Sequence, residues 1–291
     1  MISVVIPCLG HTRELGECLT ALVAQKCSVD VEVIVVDSGH DPAVVEAVDA
    51  CTSEAIPCRV VRGESGLEPG LARNVGVDDA RGSTIVFTDA DCIPEQGFLE
   101  AAVRAMASGH RMATGPVLDA NPHWIPACDN LLQFVDFAPT RPAGPAQLAP
   151  GANLVIGRDD FLELGGFGPG FGEDARFCLR AASTEVGAPS FCPDLRIRHC
   201  GRTTLLALLA HHRSFGVARG RDGLLVTPLQ RRIAAWAVMS VAVALKRYVY
   251  LVRRTLRWNP RRLGFVLVFT PVLFAGFFSW ALGFRQGLRD G

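Results

Sequence analysis

No two of the ten cysteines stand as a Cys-x-x-Cys pair and none falls at zinc-ligand spacing, so the sequence excludes a zinc ribbon or a dithiol-exchange motif. Spread singly from Cys8 to Cys200, they read as small buried residues of a reducing compartment. A secretory leader is missing as well. The apolar stretch Ile2–Ile6 is too short for one and follows no basic residues, so the amino terminus is expected to stay in the cytosol. Net charge is lacking too, at 29 Lys+Arg against 29 Asp+Glu, but the sum conceals opposite halves. Residues 1–195 hold 12 basic and 27 acidic side chains, whereas residues 196–291 hold 17 and 2. An acidic body precedes a basic tail, the pattern of a tail drawn to an anionic membrane face. Nucleic acid is not among the expected partners.

What is present is apolar surface to bury. Hydrophobic residues make up 49% of the 291 and the mean hydropathy is +0.26, high for a purely soluble enzyme. The length suits one large or two modest domains. Apolar runs at 2–7, 31–37, 56–61 and 84–88 alternate with helical stretches at 13–25, after Asp41-Pro42, and at 69–80. Asp41 stands as N-cap with Pro42 in the first helical position. The alternation predicts an α/β fold with a doubly wound, mostly parallel sheet. Further strands are expected at 111–118, 150–157 and 190–197, with short helices at 158–167 and 205–217. The proline-rich stretch 120–150 reads as a surface insertion.

The chain is organised around Thr84–Cys92, an apolar run that ends in Asp89 and Asp91. Ligands bind at the carboxyl ends of strands in an open α/β sheet. Two carboxylates spaced i, i+2 there suit a hard divalent cation that already carries phosphate oxygens. The competing reading makes Asp91 a helix cap and Asp89 a solvated loop residue. Asp37 also ends a strand, so one ligand would touch both acidic lips. Between them Arg73 opens a helix aimed at the same edge, positioned to pair with a diphosphate or with an aspartate, unless it is simply solvated.

A strand ending at Pro7, the VIVVDSG strand with Asp37, GLARNVG at 70–76 and FTDADC at 87–92 together resemble glycosyltransferase family 2 over about residues 1–220. The resemblance implies the GT-A fold, an inverting transfer and a nucleotide-sugar donor. It implies that the first-strand loop at Pro7 and the acid Asp37 hold the nucleotide, and that Arg73 supports the donor site. Asp89 and Asp91 would bind the donor diphosphate through Mg²⁺ or Mn²⁺. The GAN–GGF stretch at 151–167 would close the floor of the acceptor site. In the Gly-Glu-Asp that follows, the catalytic base carries over to Asp174, with Glu173 orienting it or the acceptor; helix-end acids alone are also explained by the helix dipole. His199 would approach the metal, and Arg202 the leaving phosphate, although a structural histidine fits equally well.

The tail holds a 22-residue uncharged run, Leu263–Phe284, expected as one transmembrane helix, open to a kink at Pro271, because about 20 residues cross the hydrocarbon; a two-helix hairpin and a buried core helix are the alternatives. Residues 233–245 read as an interfacial helix. The arginines 253, 254, 257, 261 and 262 assign that side to the cytosol. The expected organisation is a catalytic domain at 1–222, cytoplasmic and membrane-associated, and a membrane tail at 223–291. The acceptor is then expected to be a lipid or lipid-linked glycan. Two other classes remain: a nucleotidyltransferase that makes nucleotide sugars, disfavoured by the glycine-poor loop Cys8–Arg13, and a non-catalytic membrane-tethered binding module.

Overall fold

In the computed structural model, which describes residues 1–10, 12–222 and 239–290, strands β1 (Ile2–Cys8) and β2 (Val31–Asp37) lie parallel, with Cys8 level with Asp37. All seven residues of β2 are buried, as a run of β-branched side chains requires inside a sheet covered on both faces. Each of its buried valines and its isoleucine contributes about 1.5–3 kcal/mol by leaving water. Glu32, in their midst, is satisfied by the Ser3 hydroxyl at 2.6 Å and the Arg81 N–H at 2.8 Å. Without such partners a buried carboxylate would be prohibitive.

By its contacts the chain divides into two compact units, Met1–Ala120 with Pro142–Cys200, and Asn121–Arg141 with Gly201–Gly291. In the first, α1 (Thr12–Val23), α2 (Pro42–Cys51) and α3 (Pro69–Asp78) connect β1, β2, β3 (Cys58–Arg62) and β4 (Thr84–Thr88) in the parallel order β3-β2-β1-β4. Asp41 caps α2 as expected, its Oδ1 accepting the Ala43 N–H at 3.0 Å. After β5 (Cys92–Pro94) and α4 (Phe98–Ala107), the chain supplies β6 (Met112–Thr114) and β7 (Val117–Asp119). These two were expected as one strand over 111–118. They separate at Gly115-Pro116, where proline has no N–H to donate to a ladder, and they join different sheets.

Past β4 the large sheet becomes mixed. It continues through β9 (Asn153–Gly157) and β6 to β10 (Ser190–Phe191) and β8 (Gly144–Pro145), with β9 antiparallel to both its neighbours. The stretch 190–197 is likewise two pieces, β10 and β11 (Ile197–His199), parted at Pro193. A second sheet of three strands, β5-β11-β7, pairs His199 with Cys92. Helices α6 (Arg158–Glu163) and α7 (Glu173–Ala181) complete the unit. Its core closes around Phe87, Phe161, Phe167 and Phe177, whose ring centroids lie 5.0–5.3 Å apart, within the range of favourable aromatic pairing.

The second unit is helical. Its core takes Ile125, Leu131 and Leu132 from α5 (Trp124–Phe134), Leu208 from α8 (Leu205–Asp222), and Leu251, Leu273 and Phe277 from the C-terminal helices. The segment read from sequence as a surface insertion on the catalytic domain therefore contributes a buried face to this unit, because Cys128, Leu131 and Leu132 fall on one side of α5. The expected single helix over 263–284 is broken: Pro260–Val268 and Thr270–Asp290 are bent by 81° about Phe269. No single described helix is long and apolar enough to cross a membrane, although this bent pair together has the length and composition to do so. The cause is Pro271, which removes an N–H and crowds the carbonyl four residues back. The Thr270 hydroxyl, 3.0 and 2.9 Å from the Val266 and Leu267 carbonyls, satisfies groups that the break exposes. Residues 233–238 of the expected interfacial helix lie outside the described residues; from Met239 to Trp258 the chain is helical.

Helices α8 and Thr270–Asp290 touch backbone to backbone. A methyl group on Gly216 or Gly220 would land on the carbonyl oxygens of Trp280 or Phe284, and one on Gly283 or Gly287 on those of Arg213 or Val217. Two Gly-x-x-x-Gly faces thus lie against each other, the arrangement that lets helices approach when small residues line the contact. Gly283→Ala is expected to force the pair apart and destabilise this unit by about 3 kcal/mol, at the upper end of overpacking costs. Thermal unfolding checks it: an unchanged melting temperature would mean that the helices are not in such contact.

Candidate active site

The site is assembled at the carboxyl end of the parallel strands. Asp37 closes β2 and is 2% exposed; its Oδ1 accepts the Gly39 N–H at 2.9 Å, which fixes the turn leaving the strand. Pro7, half-buried, lies beside Val36 in the adjoining strand. Asp89 follows β4 directly, and the Cys92 N–H donates to its carbonyl at 3.0 Å, so the chain turns sharply there. The helix after this turn is capped by Gly97, in a left-handed conformation, and not by Asp91.

Asp91 is held from the other sheet. The β5–β11 pairing sets His199 opposite Cys92, and the Cys200 N–H donates to the Asp91 carbonyl at 2.8 Å. His199 Nε2 consequently lies 3.6 Å from Asp91 Oδ2. Donor atoms of Asp89, Asp91 and Cys92 lie within 4.8 Å of one another. The soft Cys92 sulfur is a poor partner for a hard cation that prefers oxygen. The two carboxylates, with the His199 imidazole beside Asp91, are a hard oxygen-rich set suited to Mg²⁺ or Mn²⁺ and too poor in sulfur for soft metals.

Arg73, on α3, is 3% exposed. Its Nη1 donates to Glu173 Oε1 at 2.9 Å and its Nη2 to Asp89 Oδ1. Burial disfavours the cation, but Asp89 and then Glu173 more than offset it and hold the guanidinium above its ordinary value. For Glu173 the balance goes the other way. Burial and the neighbouring Asp174 charge raise its carboxyl above the ordinary range, and Arg73 offsets this only in part. Glu173 and Asp174 begin α7 after Gly172, and Asp174 Oδ2 accepts the Gly151 N–H at 3.2 Å. Six of the predicted residues therefore meet: Asp89 with Asp91 and His199, and, across one guanidinium, Glu173 with Asp174. Asp37 and Pro7 sit on neighbouring strands of the same edge.

Arg202 belongs to the other unit. Its backbone N–H donates to Asp129 Oδ2 at 3.1 Å and its guanidinium faces the same oxygen at 3.6 Å. Asp129 is fully buried and also receives His212 Nε2 at 3.1 Å. Despite burial, these donors depress its carboxyl to about 2. Two residues given no role of their own from the sequence support the site. Gly151 leaves no room for a side chain, since a Cβ there would come within 2.7 Å of the Arg73 guanidinium. Asn74 clamps the loop before α7, donating to the Phe167 carbonyl at 2.8 Å and accepting its N–H at 2.9 Å. Its adjacency to Arg73 was the available signal.

A parallel α/β half-sheet with an acidic lip at its carboxyl end, continued by antiparallel strands, defines the GT-A class of fold. The mannosyltransferase PcManGT from Pyrobaculum calidifontis, solved with GDP-Man and Mn²⁺, superposes with a TM-score of 0.63 at 18% identity, covering 99% of this chain and 87% of its own; at that identity the likeness concerns the fold. Residues 3–126 match the family model of glycosyl transferase family 2. Glycosyltransferase AglE of Haloferax volcanii is 24% identical over 168 residues, 57% of this chain and 55% of that protein. The pre-mycofactocin glycosyltransferase of Mycobacterium tuberculosis is 26% identical over 270 residues, 86% of this chain and 55% of that protein. The chain thus spans about half the length of these curated relatives.

Proposed function

We propose that this chain transfers a glycosyl group from a nucleotide-sugar donor to an acceptor hydroxyl, with inversion at the anomeric carbon and with a divalent cation. The observation that supports it most is Arg73, whose one guanidinium holds Asp89 of the strand-end acid pair and Glu173 of the helix-end pair. Acids 84 residues apart in sequence are thereby gathered on one cation. Asp37 and the turn after Pro7 receive the nucleotide. Asp174 takes the proton of the acceptor hydroxyl as its oxygen bonds to the anomeric carbon and the nucleoside diphosphate leaves from the opposite face. Asp89, Asp91 and His199 would hold Mg²⁺ or Mn²⁺, which neutralises charge growing on the leaving diphosphate. Holding both substrates in line lowers the barrier further. The same reading makes the acceptor a lipid or lipid-linked glycan met at the cytoplasmic face of a membrane, in keeping with the basic tail.

Calorimetry of UDP- and GDP-sugars with Mn²⁺, followed by an assay for nucleoside diphosphate release, tests the reading. One nucleotide base is expected to bind, and Asp91→Ala to weaken that binding at least about tenfold, the loss of one charge-assisted contact. Binding that is indifferent to Asp91→Ala would remove it from the metal site. A chain that neither binds nor cleaves any nucleotide sugar would be a binding module of another kind.

A further inference from the structure

Among the described residues, nothing covers one side of the helix Met239–Trp258. Val241, Leu245, Val249 and Leu256 are each 46–52% exposed, and their spacing confines them to an arc of about 80° at 3.6 residues per turn. The buried Ser240, Ala244, Leu251 and Thr255 occupy another side of the helix. Directly alongside the apolar arc runs a second line, Lys246, Arg253 and Arg257, all exposed. No acidic residue occurs between Met239 and Arg289. Farther on, the bend at Phe269 leaves Leu267 and Val268 at 59% and 72% exposure. Isolated exposed apolar residues need no explanation, but a continuous stripe edged by cations does.

We propose that this face of Met239–Trp258 lies in the plane of an anionic lipid bilayer, with Val241, Leu245, Val249 and Leu256 at the headgroup–acyl boundary and Lys246, Arg253 and Arg257 among the phosphates. An apolar stripe with a basic margin is the pattern of helices that lie on membranes. Charge complementarity chooses the occupant: a second copy of the same face would set cations against cations, whereas an anionic leaflet supplies the missing negative charge. The proposal gives the membrane association suggested above a specific surface, and its test is independent of the transferase reading because neither donor nor acceptor is used.

Flotation of the full chain with phosphatidylcholine vesicles, alone or with about one-third phosphatidylglycerol, tests it, since each basic residue near an anionic surface is worth about fivefold in partitioning. The triple variant Lys246→Gln/Arg253→Gln/Arg257→Gln is expected to lose the preference for anionic vesicles by on the order of a hundredfold. The variant Leu245→Gln/Val249→Gln/Leu256→Gln is expected to bind both vesicle types at least about tenfold more weakly. All six positions are exposed, so thermal unfolding should be unchanged in both variants. Wild-type binding by either variant overturns the proposal. So does self-association that the apolar variant abolishes while vesicles capture nothing.

Discussion

Asp174→Asn is expected to lower the turnover number about a thousandfold while leaving the dissociation constant for the nucleotide sugar within about twofold, the scale of losing a general base alone. Asparagine matches aspartate in shape, and its carbonyl oxygen can still accept the Gly151 N–H that Asp174 Oδ2 accepts at 3.2 Å. What it cannot do is take up a proton. Donor affinity should persist because Asp89, Asp91 and Asp37 are untouched. A second consequence follows from charge. Glu173 is raised first by burial and then by the Asp174 carboxylate, so neutralising Asp174 should bring Glu173 back toward the ordinary carboxyl range. Rates under saturating donor, paired with calorimetry, separate the roles. Lost donor binding with retained turnover would show that Asp174 holds the donor and that the base lies elsewhere. Comparison with Glu173→Gln sharpens the assignment, since Glu173 is already committed to Arg73 at 2.9 Å.

The parts of this site that were legible in the sequence lie next to their own strands. Asp37 and Asp89 end runs of β-branched residues, and in a parallel sheet that position alone brings them to one edge. Arg73 was legible as the start of a helix entering the same edge. His199 was a different matter: its approach to Asp91 depends on the pairing of β5 with β11, a contact between distant segments that no spacing encodes. Hydropathy reported the uncharged run 263–284, and Pro271 marked where its helix could kink, but hydropathy measures how apolar a stretch is and not how far it bends, so an 81° turn at Phe269 was not legible. The glycines 216, 220, 283 and 287 were visible as two Gly-x-x-x-Gly pairs, but their meaning lies in a partner helix, and each pair alone reads only as poor helix former. Pro116 and Pro193 were likewise visible, and each divides a run that apolar content alone would join.

Arg73→Ala should be the most damaging single change to the first unit. The substitution leaves Glu173 and Asp89 without the cation between them, and breaking a buried pair from one side costs about 3–5 kcal/mol because the remaining charge stays buried. The loss should depend on pH in a defined direction. Glu173 already has a folded-state carboxyl above its ordinary range, and without Arg73 it rises further, so the folded variant takes up a proton before the unfolded chain does. Protonation then favours the folded state, and the stability difference from wild type should shrink as pH falls from neutral through that raised value. A double-mutant cycle separates this ion pair from general disruption. Glu173→Gln removes the buried charge, so Arg73→Ala/Glu173→Gln should be destabilised by less than the sum of the single changes, with a coupling of at least about 1 kcal/mol, as residues in one network show. Gly151→Ala supplies the steric counterpart, since its methyl would meet the guanidinium at 2.7 Å and must displace it without removing any charge. It should destabilise the first unit in the same direction as Arg73→Ala while lacking its pH dependence. Additive stabilities in the cycle would mean that Arg73 contributes packing alone, and the two acid pairs would then have no shared cation coupling them.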